Sequence, residues 1–345
     1  MAGPVFIVST GRCGSTMLSN MVRRHPDLLS LSEFFTSLGA QAFRGRSLSG
    51  EAMFRRLNTL SPAGRALLKN GLTVDEFLYP LGPAARYRPE EVPPIMCATL
   101  PHLTDDHERL WDALAADLRA RGEATPAAHY RWLFAWLAER FGRKAWLERS
   151  GASLPFVPVL ASWFPDARFV HIFRDGRETA LSMHRHHYFR LRVRSARLMS
   201  TVGLDPFRPF NLPGTSPWAP WFEALAFRFF DADRYRRMTL PLAAFGRFWN
   251  DMIDLGLRHL DALPPNRVLP VRFEALLAAP REELQRFIRF VGPEFENERW
   301  LDEAAALPRS RPPGWPALPP DELAPLAAAC APGMDRLGYR DAGGA

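Results

Sequence analysis

The sequence predicts an α/β fold: a central parallel sheet flanked by helices and interrupted by a mainly helical insertion. Three observations carry that expectation. Short apolar runs rich in Val, Ile and Phe recur near residues 5–8, 168–173 and 268–273. Each is followed by apolar residues at helical spacing, and strands alternating with helices favour a parallel sheet with right-handed crossovers. Polar residues gather where these runs end, which is where ligands sit in open parallel sheets.

Val5-Phe6-Ile7-Val8 reads as a buried parallel strand. A glycine-containing turn, Ser9 to Thr16, leads into a helix marked by Met17, Leu18, Met21 and Val22 and stopped by Pro26. Leu29-Ser30-Leu31-Ser32 is a second short strand, with Glu33 at its exit. Residues 40–143 read as a helical cap lying over the sheet. Trp111, Leu114, Ala115 and Leu118 form one stripe, and Tyr130, Leu133, Phe134, Leu137 and Phe141 another. Pro80 to Pro94 is a proline-rich connector within it. The α/β pattern resumes at Ala145-Trp146-Leu147, followed by Glu148-Arg149-Ser150. Arg168 to Phe173 is the next strand, and Arg174-Asp175-Gly176-Arg177 leads from it into a helix running through Ser182. Residues 200–220, rich in Pro, Gly and Ser, read as a surface loop. Phe245, Phe248, Trp249, Met252, Ile253 and Leu257 mark a long amphipathic helix. Val268 to Phe273 is a further strand, with Leu284, Phe287, Ile288 and Val291 on the helix after it. The stretch 308–320 is loop-like. The 345 residues are thus expected to form a single domain, 1–345, that contains the insertion.

Composition narrows the function classes. Apolar residues make up 47% and charged residues 23%, which excludes a disordered or fibrous chain. The three cysteines, Cys13, Cys97 and Cys330, are far apart and form no C-x-x-C pair, which argues against a zinc site or a disulfide framework. The charge-free stretch from Gly151 to Pro165 is short and broken by Pro155 and Pro158, so it cannot span a bilayer. Four residues before the first apolar run leave no room for a signal peptide, and the expectation is a cytoplasmic protein. Lys plus Arg exceeds Asp plus Glu by 44 to 37, a formal charge of +7 that suits anionic ligands in general. Arginine outnumbers lysine in that excess, and its planar fork suits phosphate and sulfate.

The loop after the first strand carries the sharpest signal. A glycine-rich turn before a helix offers backbone N–H groups and the positive end of a helix dipole to an anion. Gly11 and Gly14 permit the turn, Ser15 and Thr16 add hydroxyls, and Arg12 adds a fixed charge. The arrangement is P-loop-like, and the expected sheet is of the P-loop-containing nucleotide-hydrolase type. A nucleotide P-loop, however, requires G-x-x-x-x-G-K-[ST]. Here Ser15 replaces the lysine and Ser9 the first glycine, which disfavours a P-loop nucleotide kinase.

These residues also carry a resemblance. Thr10-Gly11-Arg12-Cys13-Gly14-Ser15-Thr16-Met17-Leu18, with His25-Pro26 and Glu33 beyond it, resembles the first signature of sulfotransferases that use 3′-phosphoadenosine-5′-phosphosulfate (PAPS). Phe164-Pro165-Asp166-Ala167-Arg168-Phe169, then Arg174-Asp175-Gly176-Arg177 and Ser182, resembles the second. Gly176 stands where the family usually has proline. The tail Arg336-Leu337-Gly338-Tyr339 is similar to the ending of many bacterial members. The resemblance covers most of the α/β core and leaves out the insertion.

It implies a PAPS-dependent sulfotransferase of class EC 2.8.2, with PAPS as cosubstrate, adenosine 3′,5′-bisphosphate (PAP) as product and no metal. The loop residues Gly11, Arg12, Cys13, Gly14, Ser15 and Thr16 would hold the 5′-phosphosulfate, and Arg174 and Ser182 the 3′-phosphate. Ser182 lies eight residues after Arg174, about two helical turns, so one phosphate could meet both. Family members often close the nucleotide site with a basic, glycine-containing loop, and Arg311, near Gly314 and Trp315, fits that place. Sulfuryl transfer needs a base for the acceptor proton and cations for the leaving oxygen. No histidine stands at Arg149-Ser150-Gly151, where some branches keep their base, so Glu33 is the expected general base and Glu148 the reserve. Arg149 would assist Arg12 at the bridging oxygen. His184, His186 and His187 at i, i+2 and i+3 splay on a helix and suit a basic stretch better than a metal site. The expected acceptor is a small molecule, glycan or lipid, with no nucleic-acid partner and no integral membrane segment; a homodimer is compatible with the sequence. Phe34, Phe35, Trp218 and Trp221 are candidates for the acceptor pocket. The competing readings are a P-loop-type kinase and a nucleotide- or anion-binding module without catalysis, which would keep Arg12 and Arg174 but not need Glu33.

Overall fold

The computed structural model describes residues 3–201, 203, 205, 207, 227–228 and 230–339. Five strands form one sheet: β1 (Val5–Val8), β2 (Leu28–Ser32), β3 (Ala145–Arg149), β4 (Arg168–Phe173) and β5 (Val268–Arg272). Their spatial order is β2-β3-β1-β4-β5 and every pair is parallel. The register sets Ile7 beside Arg149 and Val170, and Ser32 beside Arg149. All carboxyl ends therefore emerge on one side. The chain leaves β1 for β2 in one direction and passes from β3 over β1 to β4 in the other. That reversal beside β1 is where a parallel sheet opens a ligand crevice.

The helices used below are α1 (Ser15–Arg23), α2 (His107–Arg119), α3 (Pro126–Arg140), α4 (Gly176–His184), α5 (His187–Thr201), α6 (Leu242–Leu260), α7 (Pro280–Val291) and α8 (Pro320–Arg336). Side chains alternate along the strands and so feed two cores. Phe6, Val8 and Phe169 face one cluster with the buried stripes of α2, α3 and α6. Val5, Ile7, Val170 and Ile172 face the other, with Leu18, Met21 and Val22 of α1 and Leu284, Phe287 and Ile288 of α7. Strand β1 is apolar throughout because both of its faces are covered.

Within residues 40–143, helices start where serine or threonine caps them: Ser49, Ser61 and Thr125 each accept a first-turn N–H. The helices capped by Ser49 and Thr125 share a core with Phe6 and Val8, so the insertion covers one face of the sheet, while Leu67 of the helix capped by Ser61 packs separately with Leu72, Leu191 and Tyr235. Two sequence expectations change. Strand β3 extends through Arg149, because pairing with β1 and β2 holds Glu148 and Arg149 in the ladder. Helix α8 carries no sequence expectation, because Pro325 and Pro332 interrupt it. Its stripe of Leu326, Cys330, Gly333 and Met334 nonetheless has helical spacing and is buried. Most of the 200–220 loop lies outside the described residues.

Helix α8 also accounts for Gly176. A Cβ there would come within 2.5–2.7 Å of the Trp249 ring on α6. The Gly176 N–H also meets Met334 Sδ at 3.1 Å, a partner proline would lose.

Candidate active site

Three non-glycine residues among those described have left-handed backbones: Arg12 (φ 57°), Glu33 (φ 56°) and Ala152 (φ 54°). They sit just beyond the carboxyl ends of β1, β2 and β3. Such conformations cost about 1–3 kcal/mol each and persist where the surroundings enforce them, commonly at functional sites.

The loop after β1 turns through Gly11 (φ 78°), Arg12 and Gly14 (φ 87°) and delivers the chain to α1. No side chain caps α1 at Gly14, so the first-turn N–H groups of an uncapped helix end point into the crevice. Ser15 is buried and Thr16 exposed. Cys13 turns its thiol into the core beneath α1, where burial raises its pKa; only its backbone is available to a ligand. A Cβ on Gly14 would overlap the Phe273 ring as well as demand a left-handed alanine. Gly14→Ala is therefore expected to cost about 1–2 kcal/mol from the backbone and about 1–3 kcal/mol from overpacking. Denaturant unfolding measures this; a loss below about 0.5 kcal/mol would mean that the loop relaxes freely.

Arg12 reaches across the crevice. Its Nε donates to Ser182 Oγ (3.1 Å), its Nη1 to Glu76 Oε1 (2.6 Å) and its Nη2 to Asp75 Oδ2 (3.3 Å). The loop after β1 and helix α4 after β4 thus meet directly. Arg174, at the exit of β4, lies over the Phe273 ring (4.8 Å) and 3.6 Å from Glu178. Asp175 pairs with Arg177, not with Arg174, and caps α4 through the Arg177 N–H. About 12 Å of helix rise separates Arg174 from Ser182.

Glu33 and Arg149 form a buried ion pair, 5% and 2% exposed. Glu33 Oε2 also accepts the Gly151 N–H (2.9 Å), and Arg149 Nη2 donates to Ser32 Oγ (2.8 Å). Arg149 Nε is buried without a partner among the described residues. Arg149 thus has Glu33 and Ser32 as its side-chain partners here. Glu148 is separate: it accepts from Ser150 Oγ (2.6 Å), and burial pushes its carboxyl up to about 8.

Arg311 is exposed, but its loop is docked: the Gly314 and Trp315 N–H groups both donate to Glu178 Oε2 (2.7 and 3.3 Å), and Arg177 stacks on Trp315 (3.7 Å). Glu178 thereby touches both this loop and Arg174. Phe34 and Phe35 are fully buried core residues. Trp218 and Trp221 lie outside the described residues. A small cavity of about 20 Å³ lies between Ala152, Phe156, Tyr188, Phe189, Phe248 and Met252. It adjoins the loop after β1, since a Cβ on Gly11 would lie 2.5 Å from Phe189 Cζ. Sequence reasoning missed this cavity, and it missed Glu76 as a partner of Arg12; a lone acidic pair inside a helical insertion gives no warning of either. His187 Nδ1 is 3.1 Å from the Tyr235 hydroxyl. Among the described residues no cluster of metal-ligating side chains occurs, and no helix is long and apolar enough to cross a membrane.

Fold and site together define a parallel α/β protein that sets a helix N-terminus, Arg12 and the buried Glu33–Arg149 pair beyond the carboxyl ends of its strands. The family model described as "Sulfotransferase family" matches residues 4–208. The chain belongs to the sulfotransferase family. Its five-stranded parallel sheet with flanking helices is the α/β fold expected above. Similar solved structures include the sulfotransferase domain from the curacin biosynthetic pathway (16% identity, 99% of each chain covered, TM-score 0.47). Another is the sulfotransferase domain from the Synechococcus PCC 7002 olefin synthase (17% identity, 98% of this chain and 96% of that one, TM-score 0.46). A third is a sulfotransferase from Alicyclobacillus acidocaldarius (17% identity, 98% and 94%, TM-score 0.44). No curated protein matches.

Proposed function

We propose that this sulfotransferase moves the sulfuryl group of PAPS to a hydroxyl or amine of a small-molecule, glycan or lipid acceptor by in-line attack, with Glu33 as general base. The observation that carries the reading is the Arg12–Ser182 contact. It joins the phosphate-type loop after β1 to the helix that starts beside Arg174, which supports one adenosine bisphosphate bridging the two. The uncapped start of α1 fits a 5′-phosphosulfate, and no lysine is present for the β,γ-phosphates of a nucleoside triphosphate.

When bound, PAPS supplies a sulfuryl group on a phosphate leaving group. Loop N–H groups and Arg12 hold that leaving phosphate and neutralise its growing charge. Arg174 and Ser182 hold the 3′-phosphate. Glu33 takes the acceptor proton. Its two oxygens have lone pairs to spare beyond Arg149 and the Gly151 N–H.

PAP without magnesium is expected to raise the melting temperature, since a ligand at 100 times its Kd adds about 2.7 kcal/mol. Thermal-shift titration checks this. Stabilisation by ATP–magnesium alone would replace the reading with a kinase. PAP binding without sulfate release from labelled PAPS, across an acceptor panel and in its absence, would leave a nucleotide-binding module.

A further inference from the structure

Arg12 is held from outside both signature segments. Glu76 lies in the insertion, 64 residues along the chain, and its Oε1 accepts from Arg12 Nη1 at 2.6 Å. Its other oxygen is 3.0 Å from His186 Nε2, just beyond α4. The His186 ring stands edge-on to Phe189 (5.3 Å), and Phe189 packs against Gly11, the residue before Arg12. The contacts close a circuit: Arg12 to Glu76, to His186, to Phe189 and back to the loop. The Glu76 and His186 side chains are only 19% and 9% exposed. Of the five N–H groups on the guanidinium, Ser182, Glu76 and Asp75 take three, which leaves two for a ligand.

We propose that Glu76 is a positioning residue: it fixes the plane of the Arg12 guanidinium so that the two remaining N–H groups face the transferring group, with His186 buttressing its carboxylate. The proposal rests on the PAPS reading for what Arg12 touches, but not for the Arg12–Glu76 coupling itself. Preorganised donors help catalysis because they need not reorient as charge develops. A carboxylate merely waiting to be displaced would not need a second, buried anchor. Burial alone would raise the Glu76 pKa, but the His186 hydrogen bond and the Arg12 charge overcome it and hold the carboxyl down at about 2. Glu76 therefore stays ionised across the neutral range.

The test begins with PAP binding to the unaltered protein by calorimetry; its absence would count against the PAPS reading alone. A double-mutant cycle on the ligand-free protein then compares Arg12→Gln, Glu76→Gln and the pair. The losses of melting temperature are expected to be non-additive, with the double variant no less stable than the worse single one. Simple additivity would overturn the proposal whether or not PAP binds. With PAP binding established, sulfate release from labelled PAPS to water needs no known acceptor. Glu76→Ala is expected to slow it at least ~10-fold while PAP affinity moves less than ~3-fold, and Glu76→Asp to restore part of the rate. The isosteric Glu76→Gln serves where Glu76→Ala fails to fold. Unchanged release, or tighter PAP binding with undiminished release, would make Glu76 a competitor for Arg12 and overturn the positioning role.

Discussion

Arg149→Ala is expected to destabilise the protein by about 3–5 kcal/mol, because it strands the Glu33 carboxylate in the interior without its counter-ion. Both partners are at least nine-tenths buried, so water cannot replace the lost guanidinium. The Gly151 N–H remains on Glu33 but carries no charge, and the Ser32 hydroxyl loses its guanidinium partner. Denaturant unfolding gives the number. Removing both charges in Arg149→Met with Glu33→Gln should recover most of the loss, since a buried pair contributes little beyond an apolar replacement. A single-variant loss below about 1 kcal/mol would mean that the pair is hydrated.

Glu33→Gln is expected to cut turnover at least ~100-fold, as loss of a general base does. PAP affinity should hold nearly constant, since on the proposed reading Glu33 meets the acceptor and not the nucleotide. The comparison is sulfate transfer against PAP calorimetry on one preparation. Glu148 decides how a residual rate behaves. With its carboxyl pushed up to about 8 by burial, it is protonated at neutral pH and cannot accept a proton there. It becomes a carboxylate only as pH rises through that value. Residual turnover of Glu33→Gln that climbs across pH 7–9 would identify Glu148 as the substitute base. Turnover equal to the unaltered protein at every pH would remove Glu33 from the role.

The strands were the most legible part of the sequence. Val5–Val8 and Arg168–Phe173 have the boundaries their apolar runs imply, because strands buried on both faces leave little room for polar residues. The loop Ser9–Thr16 was legible as a tight turn because Gly11 and Gly14 suit the left-handed positions they occupy. Helix α8 was not, since prolines mask a stripe that only packing against α6 rescues. At the site, Arg12, Arg174 and Ser182 could be named from the chain. That Arg149 serves Glu33, or that Glu178 links Arg174 to the loop carrying Arg311, could not.

Residue identity and local spacing alone determined the parallel α/β pattern, the glycine turn and the arginines available to an anion, because each depends on neighbours a few positions away. The tertiary structure decided which charges meet: Arg12 with Glu76 across 64 residues, and Arg149 with Glu33 across 116. Ion pairing depends on distance and burial, and both are set by how the strands and the insertion come together, not by order along the chain.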